Sequence, residues 1–244
     1  MKNYKMVVSY DGSRYKGWQR LKKGELTIQD TLEQAIEIVL KYKVEVQGSG
    51  RTDSGVHANG QVVSMKLPFA LKEDFLSKVN EILPEDIRLR GVEMADGKFH
   101  ARYSAKAKTY KYYVDSKERP SVFLRKYVFH YPEKLDVDAM RGAADYLLGT
   151  HDFTSFTNDK SEEKDKVRNI YRIQIEEQDG MIVFTYYGDG FLQHMIRILT
   201  GTLLEVGKGE KNPEDIIQIL EIKERSKAGF MVPAKGLFLD KVEY

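Results

Sequence analysis

The stretch Gly48-Ser-Gly-Arg-Thr-Asp-Ser-Gly-Val-His-Ala58 decides how the rest of this chain is read. It lies between two apolar alternating runs, Val44 to Gln47 and Gln61 to Leu67, so it reads as a loop joining two strands. Gly48, Gly50 and Gly55 allow tight turns and a close approach of backbone to ligand. Inside that frame stand one cation, Arg51, and one carboxylate, Asp53. Such a pair on a glycine-rich loop suits a site that meets a charged polymer and reacts with it. The competing reading makes Asp53 an Asx-turn or helix-start cap ahead of Ser54-Gly55. On local sequence the two stand level.

Several chemistries fall away. After Gly48-x-Gly50 the third position of a dinucleotide fingerprint is Asp53, and no Gly-Lys-Ser/Thr follows to make a phosphate loop. The five histidines, at 57, 100, 130, 151 and 194, include no pair four apart on a helix. Zero cysteines remove disulfides, thiol nucleophiles, iron–sulfur clusters and thiolate zinc sites, so metal catalysis is not expected. No Gly-x-Ser-x-Gly elbow is present for a serine hydrolase, and His151-Asp152 after Gly149 reads as a polar turn.

Outward from the loop, residues 4–10 alternate as a strand ended by Asp11-Gly12-Ser13, and 11–24 form a polar loop carrying Trp18. Thr27 reads as the cap of a helix with Ile28, Leu32, Ala35 and Ile36 inward. A second helix covers about 72–83 before Pro84, and a strand follows from Ile87 to Met94 with a bulge at Gly91. Strands are expected at 108–115 and 126–131, and a helix capped by Asp136 or Asp138 runs to Leu148. Thr157 to Lys166 reads as a loop, and residues 167–187 as a hairpin about Gln178-Asp-Gly180. The most apolar helix is expected over 191–206 with Gly207 as its cap; a further helix opens at Asn212-Pro213, and a last strand runs from Gly236 to Tyr244. The order implies an α+β protein of two α/β halves, 1–104 and 105–244, sharing a mixed, mainly antiparallel sheet with helices on one face.

At 244 residues, 41% hydrophobic and 31% charged, the chain can bury a core and is not disordered. It holds no apolar run long enough to span a membrane, and its first residues enter a strand pattern without a secretory h-region; a cytoplasmic setting is expected. The net charge of +2 hides an uneven distribution. Residues 1–23 hold seven Lys or Arg, including Lys23, against Asp11 alone, and 98–126 hold nine against Asp115 and Glu118. Both segments interleave aromatics: Tyr10, Tyr15 and Trp18 in the first, Phe99, Tyr103, Tyr110, Tyr112 and Tyr113 in the second. Cations attract phosphate and exposed rings stack on unpaired bases, although solvated charge over half-buried strand aromatics gives the same composition. Arg197, midway along the apolar helix, reads ordinarily as exposed, with pairing to Asp53 as the alternative. Tyr110 reads either as a half-buried strand aromatic or as a stacking platform beside Lys108 and Lys111.

Taken in order, the blocks resemble the tRNA pseudouridine synthase A family. The resemblance rests on Gly50-Arg-Thr-Asp-Ser-Gly-Val-His-Ala58 with Gln61-Val62, on Tyr10-Asp-Gly-Ser-Arg-Tyr-Lys-Gly-Trp-Gln19, and on Phe99-His-Ala-Arg-Tyr-Ser-Ala105 running into Tyr110-Lys-Tyr112. It continues in Gly149-x-His-Asp-Phe153, Gly190-Phe-Leu-Gln-His-Met-Ile-Arg197 and Leu237-Phe-Leu-Asp-Lys-Val-Glu-Tyr244. Ser49 and Ser54 stand where the family commonly has alanine, and Gln193 where a basic residue or histidine is common. The resemblance implies a pseudouridine synthase fold with a catalytic cleft between the halves, and a cofactor-independent, homodimeric isomerase. Its implied substrate is uridine at tRNA positions 38, 39 and 40 of the anticodon stem-loop. It implies that Asp53 is the catalytic nucleophile and that Arg51 fills the space of a flipped base. It further implies that Tyr110 stacks on the uracil, Arg197 partners the carboxylate and Leu237 packs on the base. The same chemistry on another RNA, and a non-catalytic RNA-binding module, are the alternatives.

Overall fold

A computed structural model describes every residue of the chain except Lys23, Glu162 and Lys164. Lys23 of the first basic segment and two positions of the polar run 157–166 therefore lie outside the described residues. The contacts gather the chain into two compact units, one of Met1–Lys106 with Phe238–Tyr244, the other of Ala107–Leu237. The division read from sequence fell two residues earlier and left the terminal strand with the second half. Each unit combines helices with a mixed, mainly antiparallel sheet, which makes the protein α+β.

In the first unit the sheet order is β4-β1-β3-β10, with the two-residue strand β2 also on β3. The strands are β1 (Lys2–Tyr10), β2 (Gln47–Gly48), β3 (His57–Leu67), β4 (Ile87–Ala95) and β10 (Leu237–Glu243). Antiparallel pairs β1–β3 and β1–β4 build most of it, while β10 adds parallel to β3, setting Phe238 opposite His57 and Leu239 opposite Ala58. Tyr4, Met6, Val8 and Tyr10 alternate into the core along β1. Along β4 the register slips where Val7 faces Gly91 and Val8 faces Leu89, so the extra residue is Arg90, beside the glycine marked in sequence. Helix α1 (Ile28–Leu40) starts where Thr27 Oγ1 accepts the Asp30 N–H, and it ends at Lys41 in the left-handed conformation. Helix α2 (Phe75–Ile82) buries Phe75 and Val79 and stops at Leu83, the residue before Pro84.

In the second unit the order is β5-β9-β8-β7, with β6 parallel to β5. These strands are β5 (Ala107–Asp115), β6 (Phe129–His130), β7 (Gly149–Asp152), β8 (Val167–Gln178) and β9 (Met181–Gly188). The hairpin β8–β9 turns at Asp179 (φ 52°) and Gly180 (φ 72°), two consecutive left-handed residues that match the twist of the strands they join. Two readings change here. The strand expected over 126–131 shrinks to β6, and His151-Asp152 is not a turn but half of β7, paired with Arg168 and Val167 of β8. Asp136 caps α3 (Val137–Asp145), accepting the Ala139 N–H.

Helix α4 (Met195–Gly207) begins four residues later than expected because His194 sits at φ 64°, a left-handed residue that no α-helix continues through. Gly207 is its last residue rather than its cap. Helix α5 (Asp215–Ile222) also starts late: Asn212 and Pro213 form a turn, in which Asp215 accepts the Asn212 N–H. No helix among the described residues is long and apolar enough to cross a membrane.

Candidate active site

Residues 49–56 leave β2 and enter β3 as a loop whose backbone is tied down along its length. Ser49 Oγ donates to Gln61 Oε1 at 2.6 Å, and Gln61 Nε2 donates to the Gly50 carbonyl at 2.9 Å. Trp18 N–H donates to the Thr52 carbonyl at 3.0 Å, Val56 N–H to the Asp53 carbonyl at 3.1 Å, and Ser54 Oγ to the Tyr15 carbonyl at 3.1 Å. Thr52 Oγ1 and the Tyr10 hydroxyl lie 2.8 Å apart in the core. Burial holds the Tyr10 phenol well above the usual tyrosine range, so this bond is a neutral one. Ser49 and Ser54, two of the three departures from the family pattern, thus both brace the loop.

The segment from Gly12 to Gln19 presses on the loop from outside. A Cβ at Gly12 would come within 1.9 Å of the Val56 carbonyl oxygen, and one at Gly17 (φ +95°) within 2.7 Å of the Thr52 oxygen. Only glycine lets the two backbones approach that closely. Trp18, 2% exposed, lies against Gly48 at the loop's entrance and tilts against Tyr10. Tyr10, Tyr15 and Trp18 are therefore core residues, and the reading of this first basic segment as an RNA-stacking surface does not hold. At the loop's exit His57 is buried, accepts the Gly12 N–H at Nδ1 (3.1 Å), and stacks on Phe238 with ring centroids 4.6 Å apart.

On this fixed backbone Asp53 is half-buried and Arg51 exposed. Neither Asp53 nor its neighbours serve as the helix cap weighed in sequence: the next element is β3. Arg51 Nε donates to Gln19 Oε1 at 3.0 Å.

The other three candidates stand in the second unit. Tyr110 is buried on β5, edge-on to Phe191 at 5.3 Å between centroids. Tyr112, two residues along the same strand face, donates its hydroxyl to the Pro233 carbonyl at 2.6 Å, and burial pushes its phenol far up. Arg197 is not on the surface, as its ordinary reading had it: it is only 9% exposed, and its Nε donates to the Val232 carbonyl at 2.8 Å. The sequence held a sign of this. Every residue of α4 but Glu205 is buried, and a helix apolar on all sides has no solvent face to give a cation. The chain from Ala228 to Val232 lies along α4, with Gly229 N–H donating to Thr202 Oγ1 and Gly201 set against the Phe230 carbonyl. It then passes Tyr112 at Gly236 and delivers Leu237, buried, at the start of β10.

Sequence reasoning passed over Gln19, Gln29 and Glu33. Gln29 and Glu33 are polar residues four apart on α1 and both fully sheltered, a buried i, i+4 polar pair that the apolar pattern of the helix masked.

A family model described as tRNA pseudouridine synthase matches residues 6–104 and 143–244. Over 246 residues the chain is 46% identical to the tRNA pseudouridine synthase A of Bacillus sp. (strain KSM-64), covering all of both chains. It is 43% identical over 245 residues, again with full coverage of both, to the protein of that name from Acetivibrio thermocellus. A slighter likeness, at TM-score 0.37 and 11% identity, covers 82% of this chain and 54% of a chain in the crystal structure of a Cbf5-Nop10-Gar1 complex.

Proposed function

Because the chain belongs to the tRNA pseudouridine synthase family, we propose that it converts uridine to pseudouridine in tRNA, with Asp53 as the catalytic carboxylate. The reaction breaks the C1′–N1 bond, turns the freed uracil, forms a C1′–C5 bond and releases the C5 proton, while N1 gains one. Product and substrate contain the same atoms, so no oxidant, reductant or cosubstrate is consumed. A carboxylate can supply the missing step in three ways: attack on the uracil ring, attack on C1′, or removal of the C2′ proton to give a glycal. All three need an ionised carboxylate on a rigid support.

The observation that carries this reading is that support. Asp53 stands on a loop whose carbonyls at 50, 52 and 53 are all engaged and whose flank is pressed by Gly12 and Gly17. A target uridine in a stem must leave the helix first, at a cost of a few kcal/mol. Arg51, exposed beside Asp53, is the proposed occupant of the vacated space and a contact to the phosphate backbone. Tyr110 is proposed to stack on the uracil and to accept the C5 proton, Arg197 to keep the carboxylate ionised, and Leu237 to pack on the base. The proposed substrate region is positions 38 to 40 of the anticodon arm, acted on by a homodimer in the cytoplasm.

The test incubates purified protein with tRNA transcripts and maps modified uridines by carbodiimide-dependent primer extension. New stops at positions 38 to 40 are expected, together with a light-scattering mass of two chains. Binding without any new stop would make this an RNA-binding module, and stops confined to another RNA would make it a paralogue with the same chemistry.

A further inference from the structure

A relay of side-chain hydrogen bonds runs from the buried end of α1 to Arg51. Glu33 Oε1 accepts from Gln29 Nε2 (3.0 Å) and from the Val46 N–H (2.9 Å), while Arg20 Nη1 reaches Oε2 at 2.6 Å. Gln29 Nε2 also donates to the Val46 carbonyl at 3.2 Å. On its other side Gln29 Oε1 accepts from Gln19 Nε2 (2.9 Å) and from the Arg20 N–H (3.0 Å). Gln19 Oε1 then accepts from Arg51 Nε at 3.0 Å.

The chemistry of the two ends fixes the sense of every bond between them. An ionised carboxylate only accepts and a guanidinium only donates. Gln29 cannot turn its amide over, because its NH2 would then face the Gln19 and Arg20 donors while its oxygen faced the Glu33 and Val46 acceptors. Gln19 is held the same way, with its NH2 toward Gln29 and its oxygen toward Arg51. Gln29 and Glu33 are each 4% exposed, so water does not substitute for a lost partner. Arginine gripped at Nε keeps the four N–H groups of its two terminal nitrogens for a ligand.

We propose that Gln19 is a positioning residue for the isomerisation: backed by Gln29 and Glu33, it holds the Arg51 guanidinium at one orientation beside Asp53, ready to enter the space of the flipped uridine. This rests on the role proposed above for Arg51. Without the grip, Arg51 samples its rotamers and the base-flipped complex forms less often, whereas tRNA is still bound by the rest of the surface.

The test is Gln19→Met, which keeps the side chain's length and removes both amide contacts. In arginine-side-chain 15N–1H spectra the Arg51 Nε–H, identified by its absence in Arg51→Lys, should exchange slowly in the wild type and rapidly in Q19M. The single-turnover rate of pseudouridine formation at saturating enzyme should fall about tenfold, with the tRNA Kd within about twofold of wild type. Thermal unfolding should move by no more than about 3 °C, as expected for a half-exposed loop residue. A wild-type rate in Q19M overturns the proposal. So does a reduced rate with Arg51 Nε–H protection unchanged, or a rate loss repeated in full when Q19M is added to R51K. If the wild type forms no pseudouridine in tRNA, the reading of function fails, and the spectra still decide whether Gln19 holds Arg51.

Discussion

Two segments of this protein share a composition and differ in fate. Residues 10–23 and 98–126 are both basic and both studded with aromatic rings. In the first, Tyr10, Tyr15 and Trp18 are 5%, 1% and 2% exposed, and together with Gly12 and Gly17 they form the wall behind the Asp53 loop. In the second, Tyr103 is 78% exposed, tilted against His100 with ring centroids 4.4 Å apart and covered on one side by the Arg102 guanidinium. The first set of rings backs the loop, while the second divides: Tyr110 and Tyr112 are buried on β5, and Tyr103 keeps most of its ring at the surface. Composition cannot separate these roles; the close approach of glycines can, because a backbone packed on a backbone leaves no room for a ring between them to face water.

Removing the largest ring of the wall should have the largest effect. Trp18→Ala empties a space between Tyr10 and Gly48 and drops stability by about 3–5 kcal/mol in denaturant titration, with activity lost in the folded fraction as well. A wild-type midpoint with full activity would place the Trp18 ring outside the support. Tyr103→Ala should behave in the opposite way. Unfolding shifts by less than about 0.5 kcal/mol, while tRNA binding in a filter assay weakens about fivefold or more, the scale of one lost base–aromatic stack. Equal stability losses in the two variants would erase the distinction between the segments.

The smallest effect sharpens the comparison through pH. Tyr15 donates to Asp86 Oδ1 at 2.6 Å, and burial, with that carboxylate, pushes its phenol up to about 12 from an ordinary 10.0. The folded state therefore favours the protonated ring. Its contribution is fully present below pH 10.0 and fades as the pH rises toward about 12. Tyr15→Phe should be less stable than wild type at pH 8, and the gap should narrow across pH 10 to 12 in chemical denaturation. A gap that widens with pH would reverse the sign and show a phenol that prefers to ionise in place.

Local signals in the chain carried much of the architecture. Thr27 and Lys41 bound α1, Pro84 stops α2, Asp136 caps α3, and Asp179-Gly180 turns the β8–β9 hairpin, each by a backbone preference that acts within four residues. What escaped the sequence depends on distant partners. The pairing of β10 with β3 joins residues some 180 positions apart, and nothing in either strand's alternation specifies a parallel neighbour. The late start of α4 hangs on one left-handed histidine, His194, whose side chain meets Asn158. Arg197 looked exposed because a cation in an apolar helix usually is; it is buried, and one of its bonds reaches the Val232 carbonyl, 35 residues on. The candidate residues were legible as motifs, while the relay behind Arg51 was not, since Gln29 and Glu33 resemble any polar pair on a helix surface.

The role proposed for Asp53 is to do the chemistry while the rest of its loop holds it still. It is tested most directly by single-turnover pseudouridine formation in Asp53→Asn, which keeps the size and the loop's backbone bonds but removes the charge. The predicted result is a rate at least about 10⁴-fold below wild type with tRNA Kd within about threefold and unchanged thermal unfolding. Pseudouridine formed by the Asp53→Asn variant within about tenfold of the wild-type rate would contradict the account.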